Sequence, residues 1–137
     1  MKSILFASLL FLGVFANASV DSIRAEEGVC LDAAVNNAEI KQCIFSAYEK
    51  ADQELNTVYQ NIVSKLKNNE SDTDSSEILK RLVSAERAWI AFRDADCSLA
   101  ATEMLNGSGE STINGSCLVE KTLNRIDELT KILGQDN

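Results

Sequence analysis

Apolar residues recur along most of the chain at steps of three and four. Ile40, Ile44, Ala47, Ala51, Leu55, Val58, Ile62 and Leu66 form one such stripe. That spacing predicts a long amphipathic helix over 38–68. Its opposite face carries Lys41, Glu49, Lys50, Glu54 and Lys65, ordinary solvent-facing choices, and Tyr48 and Tyr59 flank the stripe. The polar run 68–76 breaks the pattern and reads as an exposed turn. Asp74, with Glu77 three residues on, predicts a capped start for a second helix over 76–104. Ile78, Leu82, Ala85, Trp89, Phe92 and Leu99 mark its expected buried stripe. Segment 106–116 holds three glycines and reads as a flexible interhelical loop. A third helix is expected over 116–133, with Ser116 as N-cap and Gly134 just past its end. Leu118, Thr122, Ile126, Leu129 and Leu133 form its inward stripe. Three such helices predict an all-α fold, a small antiparallel bundle of about three helices.

The first residues carry a different signal. Lys2 precedes an apolar run from Ile4 to Phe15, and Ala16-Asn17-Ala18 has the small-residue pattern of a leader cleavage site. Residues 1–18 are therefore expected to be a signal peptide, leaving 19–137 as the mature domain. The run is too short to span a membrane as a helix, and no later segment approaches that length. The expected product is periplasmic or secreted, with no membrane association after cleavage.

Export changes the meaning of the cysteines. Cys30, Cys43, Cys97 and Cys117 all lie in the expected mature part, and an even number in a small exported domain suggests two disulfides. Four cysteines allow three pairings. The local pairs Cys30–Cys43 and Cys97–Cys117 are the expected ones, since each ties a flexible segment to the helix beside it. If helices one and two fold back about residue 72, all four cluster at one end. Cys43–Cys97 with Cys30–Cys117 then stays open. A zinc site normally needs cysteines two to four residues apart, which these are not, so no metal is expected.

Composition removes several chemistries. The chain has no histidine among its 137 residues, which excludes histidine-activated nucleophiles and histidine-ligated metals. No base exists to activate Ser108, and Asp72-x-Asp74-x-Ser76 lacks the glycine and glutamate that a calcium loop needs later on. No cofactor is implied. The net charge of −8, or −9 once Lys2 leaves with the leader, argues against nucleic acid as a partner.

Two runs of residues then point to a family. Cys30, Cys43 and Ala51-Asp52-x-x-Leu55-Asn56-x-x-Tyr59 resemble the first half of the lysozyme-inhibitor LprI family. Ala85-Glu86-Arg87-Ala88-Trp89-Ile90-x-Phe92-Arg93-Asp94-x-x-Cys97 is similar to that family's A-Q-R-x-W-x-x-x-R-D-x-x-C run, with Glu86 in place of the usual glutamine. Cys117, Thr122, Arg125 and Leu129 follow at its C-x₄-T-x₂-R-x₃-L spacing. The usual Gly-Gly-Ser loop reads Gly107-Ser108-Gly109 here. The resemblance covers 30–129. It implies a secreted or periplasmic helical domain, some of whose relatives inhibit lysozyme.

On this reading the protein is not an enzyme but an exported binding protein for a basic lysozyme or a related peptidoglycan hydrolase. The alternative is a periplasmic interaction module with an unrelated envelope or effector partner. Ser108, Gly109 and Glu110, in the 106–116 loop, are the candidate partner-binding residues. Asp52, Tyr59, Trp89, Arg93, Asp94, Thr122 and Arg125 are expected to be structural. Trp89 would be a core anchor with the Arg93 guanidinium over its ring, four residues away. Arg93 and Asp94, adjacent in sequence, are expected to point to different sides of their helix. The two arginines would brace helices through carboxylates such as Asp52 or Asp94.

Overall fold

The computed structural model of the chain describes residues 15–68 and 73–133. Residues 1–14 of the expected leader, the middle of the turn at 69–72, and Gly134 lie outside the described residues, as does the side chain of Leu133. Among the described residues there are four α-helices rather than about three: α1 (Phe15–Ala33), α2 (Asn37–Asn68), α3 (Thr73–Ala100) and α4 (Glu110–Leu133), with a 3₁₀ turn at Ala101–Met104. Consecutive helices run antiparallel. The parallel pair α2 and α4 forms the centre, and α1 and α3 pack on it without touching each other. No described helix is long and apolar enough to cross a membrane.

Helix α2 follows its sequence pattern closely. Ile44, Ala47, Ala51, Leu55 and Ile62 are buried, and Ile40, Val58 and Leu66 pack against them. Its start is fixed by a reciprocal cap. The Glu39 backbone N–H donates to Asn36 Oδ1 at 3.0 Å, and Glu39 Oε2 accepts the Val35 N–H at 2.8 Å. Helix α4 contributes Val119, Thr122, Leu123, Ile126 and Leu129 to the same core. Helix α1, unanticipated from the sequence, adds Val20 and Ile23 and partly buries Leu31.

The cysteines pair locally. Cys30–Cys43 and Cys97–Cys117 bridge Cα atoms 5.7 and 5.5 Å apart, so the crossed pairing is not formed. The first ties the end of α1 to the start of α2, and the second ties the end of α3 to α4.

Three sequence expectations are corrected. The first concerns the rotation of α3. Phe92 and Leu99 are 57% and 67% exposed, and Ile78 and Ala85 also face solvent. The inward stripe instead runs Leu82, Glu86, Trp89, Arg93 and Cys97. Two forces set this. The Cys97–Cys117 bridge fixes which side of α3 looks at α4, and α4 supplies polar partners for the charged residues on that side.

The second correction is the expected 106–116 loop. Helix α4 begins at Glu110, so Ser116 lies inside a helix and caps nothing. The connection shrinks to a tight turn over 105–109. Asn106 sits at φ 62°, a region that asparagine tolerates better than most residues. A Cβ on Gly107 would fall 2.9 Å from the Met104 carbonyl oxygen, so the glycine there is sterically required. Gly115, whose composition reads as loop, is the point where α4 approaches α2. A Cβ there would come within 2.7 Å of Ile44 Cγ2. Packing overrides its poor helix propensity. The third correction is small: α3 starts at Thr73, so Asp74 lies within its first turn, and Glu77 pairs with Arg81 at 2.9 Å.

Candidate functional site

Charge is buried along one seam, where α3 meets α2 and α4. Arg93 projects from α3 into it and is 5% exposed. Its Nε donates to Asp94 Oδ1 at 2.9 Å, and its Nη1 donates to the Thr122 hydroxyl on α4 at 3.4 Å. Asp52 of α2 lies 3.7 Å from the same Nη1. The guanidinium also covers two rings, Trp89 at 5.2 Å and Tyr48 at 5.7 Å from their centroids. A long side chain can curl back along its own helix. Arg93 does so, which is why the sequence neighbour Asp94 can pair with it instead of pointing away.

Arg125 of α4 braces α3 one layer further along. Its Nε donates to Glu86 Oε1 at 2.8 Å, and its Nη1 donates to Glu128 at 2.8 Å. Its guanidinium also lies over the Trp89 ring, 5.6 Å from the centroid. Trp89 is half-buried: it packs against the apolar core, with both guanidiniums near its ring. Partial burial opposes the charge of Arg125, but the hydrogen bonds it donates to Glu128 and Glu86 outweigh that and hold its pKa above the usual arginine value. Burial likewise pushes the Tyr48 phenol above its ordinary value, with Arg93 acting the other way. Every described buried side-chain nitrogen or oxygen has a hydrogen-bond partner.

The residues expected from sequence fall into three places. Asp52, Trp89, Arg93, Asp94, Thr122 and Arg125 converge on the seam. Tyr59 stands apart, half-buried in a shallow groove of about 440 Å³ between α2 and α3, where Asn56 and Arg87 also lie. Ser108, Gly109 and Glu110 belong to the turn before α4. Ser108 is exposed and Gly109 half-buried. Glu110 is spent on its own turn, since its Oε2 accepts the Asn106 N–H at 2.9 Å.

Sequence reasoning missed Glu86, Glu128 and Tyr48. Glu86 had a usable signal: it sits with Leu82, Trp89 and Arg93 at steps of four, three and four. The seam contains no nucleophile with a base, and no cluster of potential metal ligands occurs among the described residues. Its polar groups satisfy one another, which is bracing chemistry.

Fold and site together define a small, disulfide-stapled helical domain with a self-satisfied charged seam. The model of the family described as Lysozyme inhibitor LprI matches residues 30–129, and this chain belongs to that family. A relative described as an uncharacterized protein from Rhizobium meliloti (strain 1021) is 33% identical over 105 residues, covering 73% of this chain and 76% of the relative. No solved structure gives a significant match. The glutamine-to-glutamate departure at position 86 acquires a physical sense in this fold: a carboxylate there pairs with Arg125.

Proposed function

We propose that the protein is exported by its 1–18 leader and acts in the periplasm or outside the cell as a non-catalytic inhibitor of lysozyme or a related peptidoglycan hydrolase. The observation that carries this reading is the family match across 30–129. The cysteine pairing supports export, because two disulfides in a small domain belong to an oxidising compartment. The excess of acid groups supports a basic partner, since complementary charge steers encounter and raises association rate. The turn at 105–109 offers Ser108 and Gly109 as contact groups held by rigid helices. Glu110 contributes there through its hold on Asn106.

The test is lysis of cell-wall substrate by a panel of lysozymes with the purified mature protein added at micromolar excess. At least one enzyme should be inhibited, with association slowing as salt rises and screens exposed charges. No inhibition of any of them rejects this reading and favours an envelope or effector partner unrelated to lysozyme.

A further inference from the structure

The family-like runs contain more residues than the bracing seam uses. Ala51 and Leu55 are core, the cysteines are bridged, and Trp89, Arg93, Asp94, Thr122 and Arg125 hold one another. Asn56 and Arg87 remain. Asn56 is exposed, and no described residue accepts or donates a side-chain hydrogen bond to it. Arg87 is exposed too, and it is the exception among the five arginines. Arg24 pairs with Glu120, Arg81 with Glu77, Arg93 with Asp94 and Arg125 with Glu86, whereas Arg87 has no ion pair among the described residues. In a chain with eight more acidic than basic side chains, a guanidinium without a carboxylate is not a matter of supply.

These two residues sit on one face. Asn56 with Asp52 and Tyr59 on α2, and Arg87 with Ile90 on α3, border the same shallow groove. Ile90 is 44% exposed, and the Asp52 carboxylate is more than half open to solvent. The face therefore offers an apolar patch, a phenol, the amides of Gln53 and Asn56, and one unpaired planar cation, with the Asp52 and Glu86 carboxylates at the same groove. It is not the 105–109 turn, which borders Lys41 at the start of α2. Lys41 and Asn56 are about 22 Å apart along the helix at 1.5 Å per residue.

We infer that this α2–α3 face is the surface that blocks the hydrolase, with Arg87 directed at carboxylates in the enzyme's cleft. The inference rests on the inhibitor reading and deepens it. Glycoside hydrolases generally carry two carboxyl groups flanking the scissile bond, and a guanidinium matches a carboxylate with two parallel hydrogen bonds. The charge logic is then divided. The acidic bulk of the protein attracts the basic body of the enzyme, and the lone free arginine meets the acidic centre of its cleft. Asn56 and Tyr59 flank it with groups suited to the polar lining of a saccharide site.

The experiment uses full-length mature protein and a lysozyme that the wild type inhibits. Arg87→Ala should weaken inhibition at least about tenfold, as truncating a buried charged anchor does. Arg87→Lys should restore it only in part, because an ammonium cannot make the two-pronged contact. Asn56→Ala should weaken it less, and Ser108→Ala least. Melting temperatures should stay at the wild-type value, since neither Arg87 nor Asn56 braces the fold. A lysozyme whose catalytic carboxylates are replaced by amides should bind wild type more weakly and should no longer distinguish Arg87→Ala from it. If Arg87→Ala inhibits like wild type, the inference is overturned and the inhibitor reading stands. If the amide-substituted lysozyme still distinguishes the two, the carboxylate occupant is wrong. If wild type inhibits no lysozyme, both fall.

Discussion

The α2–α4 interface and the α3 seam are both buried, yet they are built from opposite materials. Between α2 and α4 the contacts are Ile44, Ala47, Ala51 and Leu55 with Val119, Leu123, Ile126 and Leu129, sealed by burial of apolar area. Along α3 the inward residues include Glu86, Arg93 and a half-buried Trp89. The apolar interface tolerates substitution as long as volume is conserved. The charged one does not, because each guanidinium has named partners at hydrogen-bond distance. Ion pairs of this kind contribute little net stability over apolar residues of the same size. What they contribute here is the rotation of α3. The contacts that cross helices, Arg93 with Asp52 and Thr122 and Glu86 with Arg125, accept only one face of α3, and that face leaves Phe92 and Leu99 outside.

The sharpest way to break this comparison is to remove one charge from the seam. Arg93→Ala leaves Asp52 and Asp94 facing each other without their shared cation and leaves Thr122 without its donor. The two carboxylates are more than half open to solvent and can be hydrated. The cost is therefore that of the lost Thr122 bond and of the lost packing on Trp89 and Tyr48, about 1–3 kcal/mol, no more than about 2–5 kcal/mol for Leu123→Ala in the apolar interface. Urea unfolding of both variants measures the ranking. A loss below that of a surface substitution for Arg93→Ala would mean that the seam holds nothing. Replacing Glu86 and Arg125 together by leucine should cost far less than either single replacement, and the cycle of four proteins isolates the coupling.

The same contrast explains what could be read from the chain and what could not. Helix α2 was legible almost to the residue because its apolar period is unbroken. Helix α1 was not, because its stripe of Val20, Ile23 and Leu31 is interrupted by Glu27 and is shorter than the leader's apolar run beside it. For α3 the apolar period of Ile78, Ala85, Phe92 and Leu99 pointed outward, and a pattern rule has no means of ranking a paired arginine above a phenylalanine. Of the site, the stacking of Arg93 on Trp89 followed from their four-residue spacing. The Glu86–Arg125 pair joins residues 39 positions apart, and no local rule connects them. The early start of α4 was hidden for a related reason. Gly107, Gly109 and Gly115 look alike in sequence, but the first two belong to the tight turn before α4, and Gly115 is a contact point inside the helix.

Gly115 gives the next test, on the apolar side of the comparison. Gly115→Ala should gain about 1 kcal/mol of helix propensity but push a methyl group into Ile44 Cγ2, and overpacking of this kind costs about 1–3 kcal/mol. The net expectation is a modest destabilisation. Combining it with Ile44→Val leaves that Cγ2 group in place in some rotamers, whereas Ile44→Ala removes it. Gly115→Ala should therefore be neutral or stabilising in the Ile44→Ala background and destabilising in the Ile44→Val one. Equal effects in both backgrounds would show that the close approach does not limit the α2–α4 spacing.

The smallest expected effect separates two adjacent glutamates on α1, where the flanking helix meets the central pair. Glu26 is exposed and ion-paired with Lys50. Hydrogen bonds from Lys50 and then Ser22 hold its carboxyl below the usual value. Glu27 is half-buried, and burial, with Glu120 as the second cause, pushes its carboxyl above the usual value despite Arg24. The signs therefore oppose. A depressed folded pKa gives Glu26 a stabilising contribution that is present above the unfolded pKa, about 4.3 for glutamate, and is lost as pH falls through the folded value. A raised folded pKa gives Glu27 a contribution that is fully present below the unfolded pKa and is lost as pH rises through the folded value. At pH 7, Glu26→Gln should lower the melting temperature slightly, because exposed pairs are weak, and Glu27→Gln should raise it. Both differences should shrink as the pH is lowered through the carboxylate range. Melting curves from pH 7 to pH 3 decide it, and a Glu27→Gln variant that is less stable than wild type at pH 7 would mean that Arg24 outweighs burial at that site.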